Sequence, residues 1–333
     1  MKFTLMFTIY SISVLITQVC KIKSFEGGIH FMRLLTGWII YNGNLPNKSF
    51  YDFANWLHVA AKRRSIDSKI YQNNHLLTLV AADSLKLLNE HTDSLPDFVI
   101  FTDKDIYLAK QLELLGVRVF NSARSIEISD DKIATYHELA IQKLPIPKTI
   151  FAPKVFMDHE QIDITFTQQV LRELNLPLII KEAYGSFGEQ VYLINTEEEM
   201  NQKVKELAGK PFVFQEFISS SYGKDLRLQV VGDQVVASML RKSANDFRAN
   251  VTAGGSMEVY EPNKVEQELA IAATKAIGAD FAGVDLLLDP NGQPMICEVN
   301  SNAHIRNLFN CTGINAADFI IDYIINELGV HHD

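Results

Sequence analysis

The stretch GVDLLLDPNGQPMICEVNSN, residues 283–302, constrains this chain more than any other. Two apolar runs flank a Pro-Asn-Gly tract, so they read as antiparallel strands joined by a tight turn with Asn291 and Gly292 at its tip. In that register residue 290 faces 293, and counting outward places Asp285 opposite Glu298, with Asn300 on the same face. Like charges directly across a ladder destabilise it, so the pair needs a neutralising partner. Val284, Leu286, Leu287, Leu288 and Ile296 mark the hairpin as largely buried, which argues against two acids simply resting in solvent. Three oxygen donors on one face suit one or two Mg²⁺ (or Mn²⁺) ions. Such ions take one or two protein carboxylates and complete their shell with nucleotide phosphate oxygens.

The remaining length, 333 residues in all with 47% hydrophobic and 21% charged side chains, is enough for two or three compact units with ordinary cores. A net charge of −9 excludes general nucleic-acid binding, which demands a basic face. Cys20, Cys297 and Cys311 are sparse, odd in number and without CxxC spacing, which fits a reducing compartment and neither a disulfide framework nor a zinc site. Residues 1–31 differ from the rest: an apolar run from Phe3 to Cys20 follows Lys2 and precedes Lys21 and Lys23. Its alternatives are a start codon assigned too far upstream of Met32, a membrane anchor, or a signal segment lacking a clear small-residue cleavage site. In each of the first two cases the body beyond it faces the cytoplasm.

From Met32 the pattern alternates strand and helix. RLLTGWII reads as the first strand, SFYDFANWLHVAAKRR as a helix capped by Asn47 or Ser49, DFVIF as a strand, DKDIYLAKQLELLG as a helix and GVRVFN as a strand. Such alternation predicts a small, mostly parallel sheet with helices on its faces. A further helix, SDDKIATYHELAIQK, leads into the Pro-punctuated LPIPKTI. Beyond it the grammar changes to hairpins: LPLIIKEAYGSFGEQVYLIN, the strand PFVFQEFI, and DLRLQVVGDQVVASMLRK turning at Gly232-Asp233. Helices at about 264–277 and 315–328 carry apolar stripes suited to pack beneath these antiparallel sheets.

Lys181 ends the strand LPLII, and a loop containing Gly185 and Gly188 follows. An ammonium beside glycine backbone suits a triphosphate, because the N–H groups approach anionic oxygens without side-chain obstruction. The pattern is neither a P-loop nor a dinucleotide fingerprint, and by itself it reads rather as a Gly-rich hairpin with a chance lysine. The strand edge at Gln215, Glu216, Phe217 and Ile218 offers backbone groups to an adenine, and Asp225 a carboxylate to ribose hydroxyls; the plain alternative for Glu216 and Asp225 is a solvated charge at a strand end. Arg241, Lys242 and Arg248, with Asn250 and the glycines at 254–255, form a basic segment in an acidic chain. Guanidinium groups there suit bidentate contact with phosphate or carboxylate, though the segment also reads as an exposed loop.

The ordered set Lys181, GSFG, QEFI, DLR, DFRAN, AGG, GVD and CEVNSN resembles the ATP-grasp superfamily, in its RimK-like branch of ATP-dependent carboxylate–amine ligases such as α-L-glutamate ligases. The resemblance spans roughly residues 32–328 and implies an α/β N-terminal domain (32–125) followed by an α+β ATP-grasp domain with mainly antiparallel sheets (126–330), its lid at about 150–218 and its metal-site half at about 219–330. It implies Lys181 on the phosphates, 215–218 on adenine, Asp225 on ribose, and Arg248, Asn250 and Arg241 at the reacting phosphoryl group. Asp285, Glu298 and Asn300 would hold magnesium. The implied partners are a peptide or small-molecule carboxylate and an amino-acid amine, with no nucleic acid, and with a membrane only through residues 1–31; a homo-oligomer is allowed. One departure stands out. After EVN the chain reads SNAHIRN where the family commonly carries a small-Pro-Gly segment, so the resemblance does not fix the acceptor. A kinase on the same scaffold, or a nucleotide-binding regulator, is the competing reading; a regulator would lose the metal ligands, which are all present.

Overall fold

The computed structural model describes residues 20–25, 28–45, 48–88, 94–155, 163–185, 188–249 and 254–329. The apolar run from Phe3 lies outside these residues up to position 19. Strands β1 (Cys20–Phe25) and β2 (Gly28–Arg33) then pair antiparallel in a sheet of their own, with Met32 opposite Lys21. The boundary expected at Met32 therefore falls inside a strand pair. Arg33 closes that ladder against Cys20, and the first strand of the next sheet starts at Thr36.

That sheet is parallel, as the alternation predicts. It contains β3 (Thr36–Tyr41), β4 (Asp67–Gln72), β7 (Phe98–Phe101) and β8 (Arg118–Phe120) in the order β4-β3-β7-β8. Strand β7 is buried at every position, as a central strand covered on both faces should be. Gly37 permits the close approach of β3 to β7, since a Cβ there would lie 2.5 Å from the Phe98 ring. Helix α1 (Lys48–Arg63) buries Phe53, Ala54, Leu57 and Ala61 along one face. Ser49 sits within that helix and does not cap it, and Asn47 lies outside the described residues. Between the sheet strands a separate hairpin, β5 (Leu77–Ala81) with β6 (Ser84–Leu88), exposes Leu77 and Val80.

Helix α2 (Ile106–Leu114) is capped by Asp105, and α3 (Ala123–Asp130) by Ser122. The helix expected over residues 129–143 is α4 (Lys132–Ile141); Asp131 caps it, and Ser129 and Asp130 close α3. Residues 149–216 form an antiparallel sheet of β9 (Thr149–Phe151), β10 (Leu178–Glu182), β11 (Val191–Ile194) and β12 (Phe212–Glu216), covered by α5 (Thr167–Glu173) and α6 (Glu197–Glu206). A second antiparallel sheet runs β15-β14-β13-β16-β17, made of β13 (Lys224–Val231), β14 (Gln234–Lys242), β15 (Ser256–Val259), β16 (Phe281–Leu288) and β17 (Pro294–Asn300). Its inner face, Leu226, Leu228, Val230, Val284 and Leu286, packs with α4 and with α7 (Lys264–Ala276), whose start carries a complete Asn263–Glu266 capping box.

After α8 (Arg306–Thr312), α9 (Ala316–Glu327) does more than lie beneath the antiparallel sheet. Ile320, Ile321 and Ile324 share one core with Leu57 of α1, Ile39 and Phe98 of the parallel sheet, and Val231 and Phe281. The buried Asn121 amide adds polar cross-links: it donates to Phe281 O and Ser301 O and accepts from the backbone N–H groups of Asp280 and Phe281. Among the described residues no single helix is long and apolar enough to cross a membrane.

Candidate active site

Strand alternation builds the site. With Leu226, Leu228, Val284 and Leu286 turned to the core, period 2 sends Asp225, Arg227, Arg241, Asp285, Glu298 and Asn300 to the opposite face of the five-stranded sheet. That face lines a cavity of about 520 Å³. The cavity also takes in Lys181, Gly185 and Gly188, the edge Gln215–Ile218, and Arg248. Every described residue assigned to the site from the sequence therefore lines one space; Asn250 lies outside the described residues.

Asp285 does face Glu298, but the turn between them is longer than expected. Asp289 and Gln293 close it, so the loop is Pro290-Asn291-Gly292, with Gly292 in the left-handed conformation at φ +78°. Leu286 pairs with Ile296 and Asp285 with Glu298, leaving Cys297 as a bulge that absorbs the one-residue difference. The extra residue puts Cys297 beside Glu298 in the cavity wall.

The neutralising partner for Asp285 is protein. Arg227, its cross-strand neighbour, grips it with Nε and Nη2, the latter at 2.8 Å, and Arg241 Nη2 reaches Asp285 Oδ2 at 2.8 Å. Burial favours a neutral Asp285 carboxyl, but the two guanidinium groups overrule it and hold the carboxyl below its ordinary range. Asp225 is bound by Arg241 at 2.6 and 2.7 Å, so it is neither a solvated strand-end charge nor an unengaged acceptor. Burial and the charge of Asp285 outweigh Arg241 there and push Asp225 up to about 6. Glu216, by contrast, is exposed and accepts from the Lys148 backbone at 3.3 Å.

Glu298 belongs to a different neighbourhood. Its charge acts on two lysines, the half-buried Lys132 at the start of α4 and the buried Lys181 on β10. Burial lowers the Lys132 pKa, and Glu298 opposes that shift. Burial also works against the Lys181 ammonium, but Cys297, Tyr136 and Glu298 together carry its pKa upward. Lys181 Nζ donates to Tyr136 Oη at 3.2 Å and to Cys297 Sγ at 3.6 Å, and Tyr136 Oη donates to Cys297 O at 2.9 Å. Lys181 is thus seated by α4 and β17 together.

The glycine loop is tied down at both ends. Lys132 N donates to Ala183 O at 3.0 Å, and Arg248 Nη1 to Gly188 O at 2.5 Å, while Asp246 fixes the Arg248 fork. Sequence reasoning missed Lys132, which reads as an ordinary first-turn helix residue, and gave Arg227 no role although it stands in DLR. It also missed Asp103, Lys104 and His304, which reach the cavity from loops distant in sequence.

Among the described residues no three His, Cys, Asp or Glu side chains gather as a metal cage. Asp285, Glu298 and Asn300 instead offer two carboxylates and one amide oxygen on neighbouring strands, a hard-oxygen set that fits Mg²⁺ completed by substrate phosphates.

Comparison with known proteins gives this geometry a family. Residues 129–324 match the RimK-like ATP-grasp domain. A protein of a Shewanella species named probable alpha-L-glutamate ligase 1 is 36% identical over 220 residues, covering 65% of this chain and 70% of its own. A probable alpha-L-glutamate ligase of Haemophilus ducreyi is 32% identical, covering 72% and 76%. In fold the chain is similar to a RimK domain ATP-grasp protein of Sphaerobacter thermophilus (TM-score 0.65, 17% identity, covering 86% of this chain and 98% of the other). It is equally similar to D-alanine–D-alanine ligase of Bacillus anthracis (TM-score 0.65, 17% identity, covering 89% and 98%). The chain belongs to the RimK-like ATP-grasp family. It is an ATP-dependent carboxylate–amine ligase.

Proposed function

We propose that the protein adds an amino acid, glutamate first among the candidates, to the carboxylate of a peptide or small molecule, using ATP and Mg²⁺. The observation that carries this reading is the single cavity in which Lys132, Lys181, Arg227, Arg241 and Arg248 converge with Asp285, Glu298 and Asn300. Glutamate is supported by the names of the relatives from Shewanella and Haemophilus ducreyi. Residues 32–125, about 150–218 and about 219–330 are assigned as N-terminal domain, lid and metal-site half. The free Cys297 and Cys311 fit a cytoplasmic setting.

An oxygen of the substrate carboxylate attacks the γ-phosphorus of ATP. The bond to the β-phosphate oxygen breaks and ADP leaves with the electron pair. The amine nitrogen then attacks the acyl carbon, the C–O bond to phosphate breaks, and the nitrogen loses a proton. Charge neutralisation and positioning carry such chemistry, so no side-chain nucleophile is needed. Lys181 and Lys132 offset phosphate charge, and Arg248 supplies a guanidinium to the transferring group while holding the glycine loop over it. Backbone groups at Gln215–Ile218 meet adenine, and Asp225 is placed for the ribose. Asp285, Glu298 and Asn300 would hold Mg²⁺, which when bound neutralises and orients the terminal phosphates. The closed loop keeps water from the acyl phosphate.

Phosphate release from purified protein with ATP and Mg²⁺, screened against amino acids and short peptides, tests the reading. Release that depends on both a carboxylate and an amine supports it. ADP formation that proceeds fully without any amine, with the phosphoryl group retained on a hydroxyl acceptor and no free phosphate, replaces the ligase by a kinase.

A further inference from the structure

A buried carboxylate without a cation is costly, and Asp103 is one. It is 6% exposed, lines the cavity, and forms no ion pair among the described residues. The Asn42 side chain and the Lys104 backbone donate hydrogen bonds to it, but burial, aided by the charge of Asp105, outweighs these bonds and the nearby Lys104 charge and leaves its carboxyl raised. The ammonium of Lys104 is committed to Asp130 at 2.5 Å. The other buried carboxylates of the cavity are compensated: Asp225 and Asp285 by guanidinium groups.

The position in the fold is equally telling. Asn42 follows β3 and Asp103 follows β7, so both stand just outside the carboxyl ends of adjacent parallel strands, where open α/β sheets receive ligands. Phe50 and His304 line the same cavity, their rings 5.0 Å apart. His304 lies in the segment SNAHIRN, which departs from the small-Pro-Gly pattern of the family.

We infer that Asp103 is the counter-ion for the ammonium group of the amine substrate, an amino acid or the N-terminus of a short peptide, whose carbon skeleton lies toward Phe50 and His304. This rests on the ligase reading. The amine arrives as an ammonium ion, which supplies the charge the buried carboxylate lacks; one proton passes to solvent, and the freed nitrogen lone pair attacks the acyl carbon.

The test measures phosphate release with ATP, Mg²⁺ and each of a panel of amino acids and dipeptides, for the wild type, Asp103→Asn and Asp103→Ser, with N-acetyl derivatives of the same compounds as inhibitors. The amine that drives the wild type should show KM raised about tenfold or more in both variants, the scale of a lost charged hydrogen bond. AMP-PNP affinity by calorimetry should stay at the wild-type value, and the N-acetyl derivative should inhibit the wild type only weakly. Amine KM unchanged in either folded variant overturns the subsite, as does an N-acetyl derivative that competes as well as its parent amine. Loss of AMP-PNP affinity in step with amine KM, or failure of both variants to fold by melting temperature, makes Asp103 a structural residue and overturns it too. A wild type that binds AMP-PNP but releases phosphate with no amine or peptide overturns the ligase reading itself, and the subsite with it.

Discussion

Asp285 and Glu298 face each other across β16 and β17, yet their charges are answered from opposite sides: Asp285 by Arg227 and Arg241, Glu298 by Lys132 and Lys181. Repulsion between the acids is already offset before any nucleotide binds. Glu298→Gln should therefore abolish Mg²⁺-dependent turnover while leaving the ligand-free melting temperature unchanged or slightly lower, an effect within ~1 kcal/mol. Calorimetry and phosphate release read the two halves. A clearly raised melting temperature would show that repulsion still dominates, and normal turnover would end the metal role of Glu298.

Lys181→Ala should weaken AMP-PNP binding by roughly ten- to a hundredfold, since the buried ammonium proposed to meet the phosphates is lost. Tyr136→Phe removes the hydroxyl that receives Lys181 Nζ at 3.2 Å and should cost less, about two- to tenfold. Titration calorimetry checks both. Full affinity in Lys181→Ala would put the phosphates elsewhere.

The Asp225 carboxyl, raised from 3.8 to about 6, gives stability a characteristic pH dependence. Between those values the folded chain holds a proton that the unfolded chain has released. Its contribution is complete below the unfolded value and fades as pH rises through about 6. Asp225→Asn cannot make that change, so the stability of the wild type relative to the variant should decline between about pH 4 and pH 6.5. A difference independent of pH in denaturant titrations contradicts the raised carboxyl.

Arg248→Ala cuts the bond to Gly188 O and should loosen the loop. Faster amide exchange at residues 188–190 and a larger share of phosphate released without amide product are expected. Exchange that stays as slow as in the wild type would mean the loop is held by Lys132 and its neighbours alone.

Among the described residues, strands β1 and β2 pair only with each other. A chain starting at Leu34 should keep wild-type AMP-PNP affinity and melting temperature, whereas one starting at Met32 retains a severed strand end. Loss of affinity in the shorter chain would show that the pair supports the body.

Much of this was legible in the sequence wherever local rules decide. Period-2 patterning and the Gly232-Asp233 turn marked β13 and β14, and the oxygen donors at 285, 298 and 300 converge on one face. The Asp285–Glu298 pairing emerged from two deviations that cancel: a loop one residue longer than a two-residue turn, and the bulge at Cys297. Neither has a signature in composition. The arginine partners of Asp285 were not legible because they come from β13 and β14, some 44 to 58 positions away in sequence, and only strand order puts them alongside. Asp103 was missed because it sits in a short loop whose burial is created by the rest of the cavity.

The four bonds of the Asn121 amide, together with the shared core of α1 and α9, weld the parallel sheet to the five-stranded sheet. Those two sheets are thereby held as one body. The sheet of residues 149–216 has a core of its own, and it meets that body both through apolar contacts of Val213 and Phe151 and through polar ties such as Arg248 to Gly188. On the lid assignment proposed above, nucleotide would enter by movement of this sheet alone, and the proposed acceptor end at Asp103 and His304, which stands on the welded side, would keep its shape.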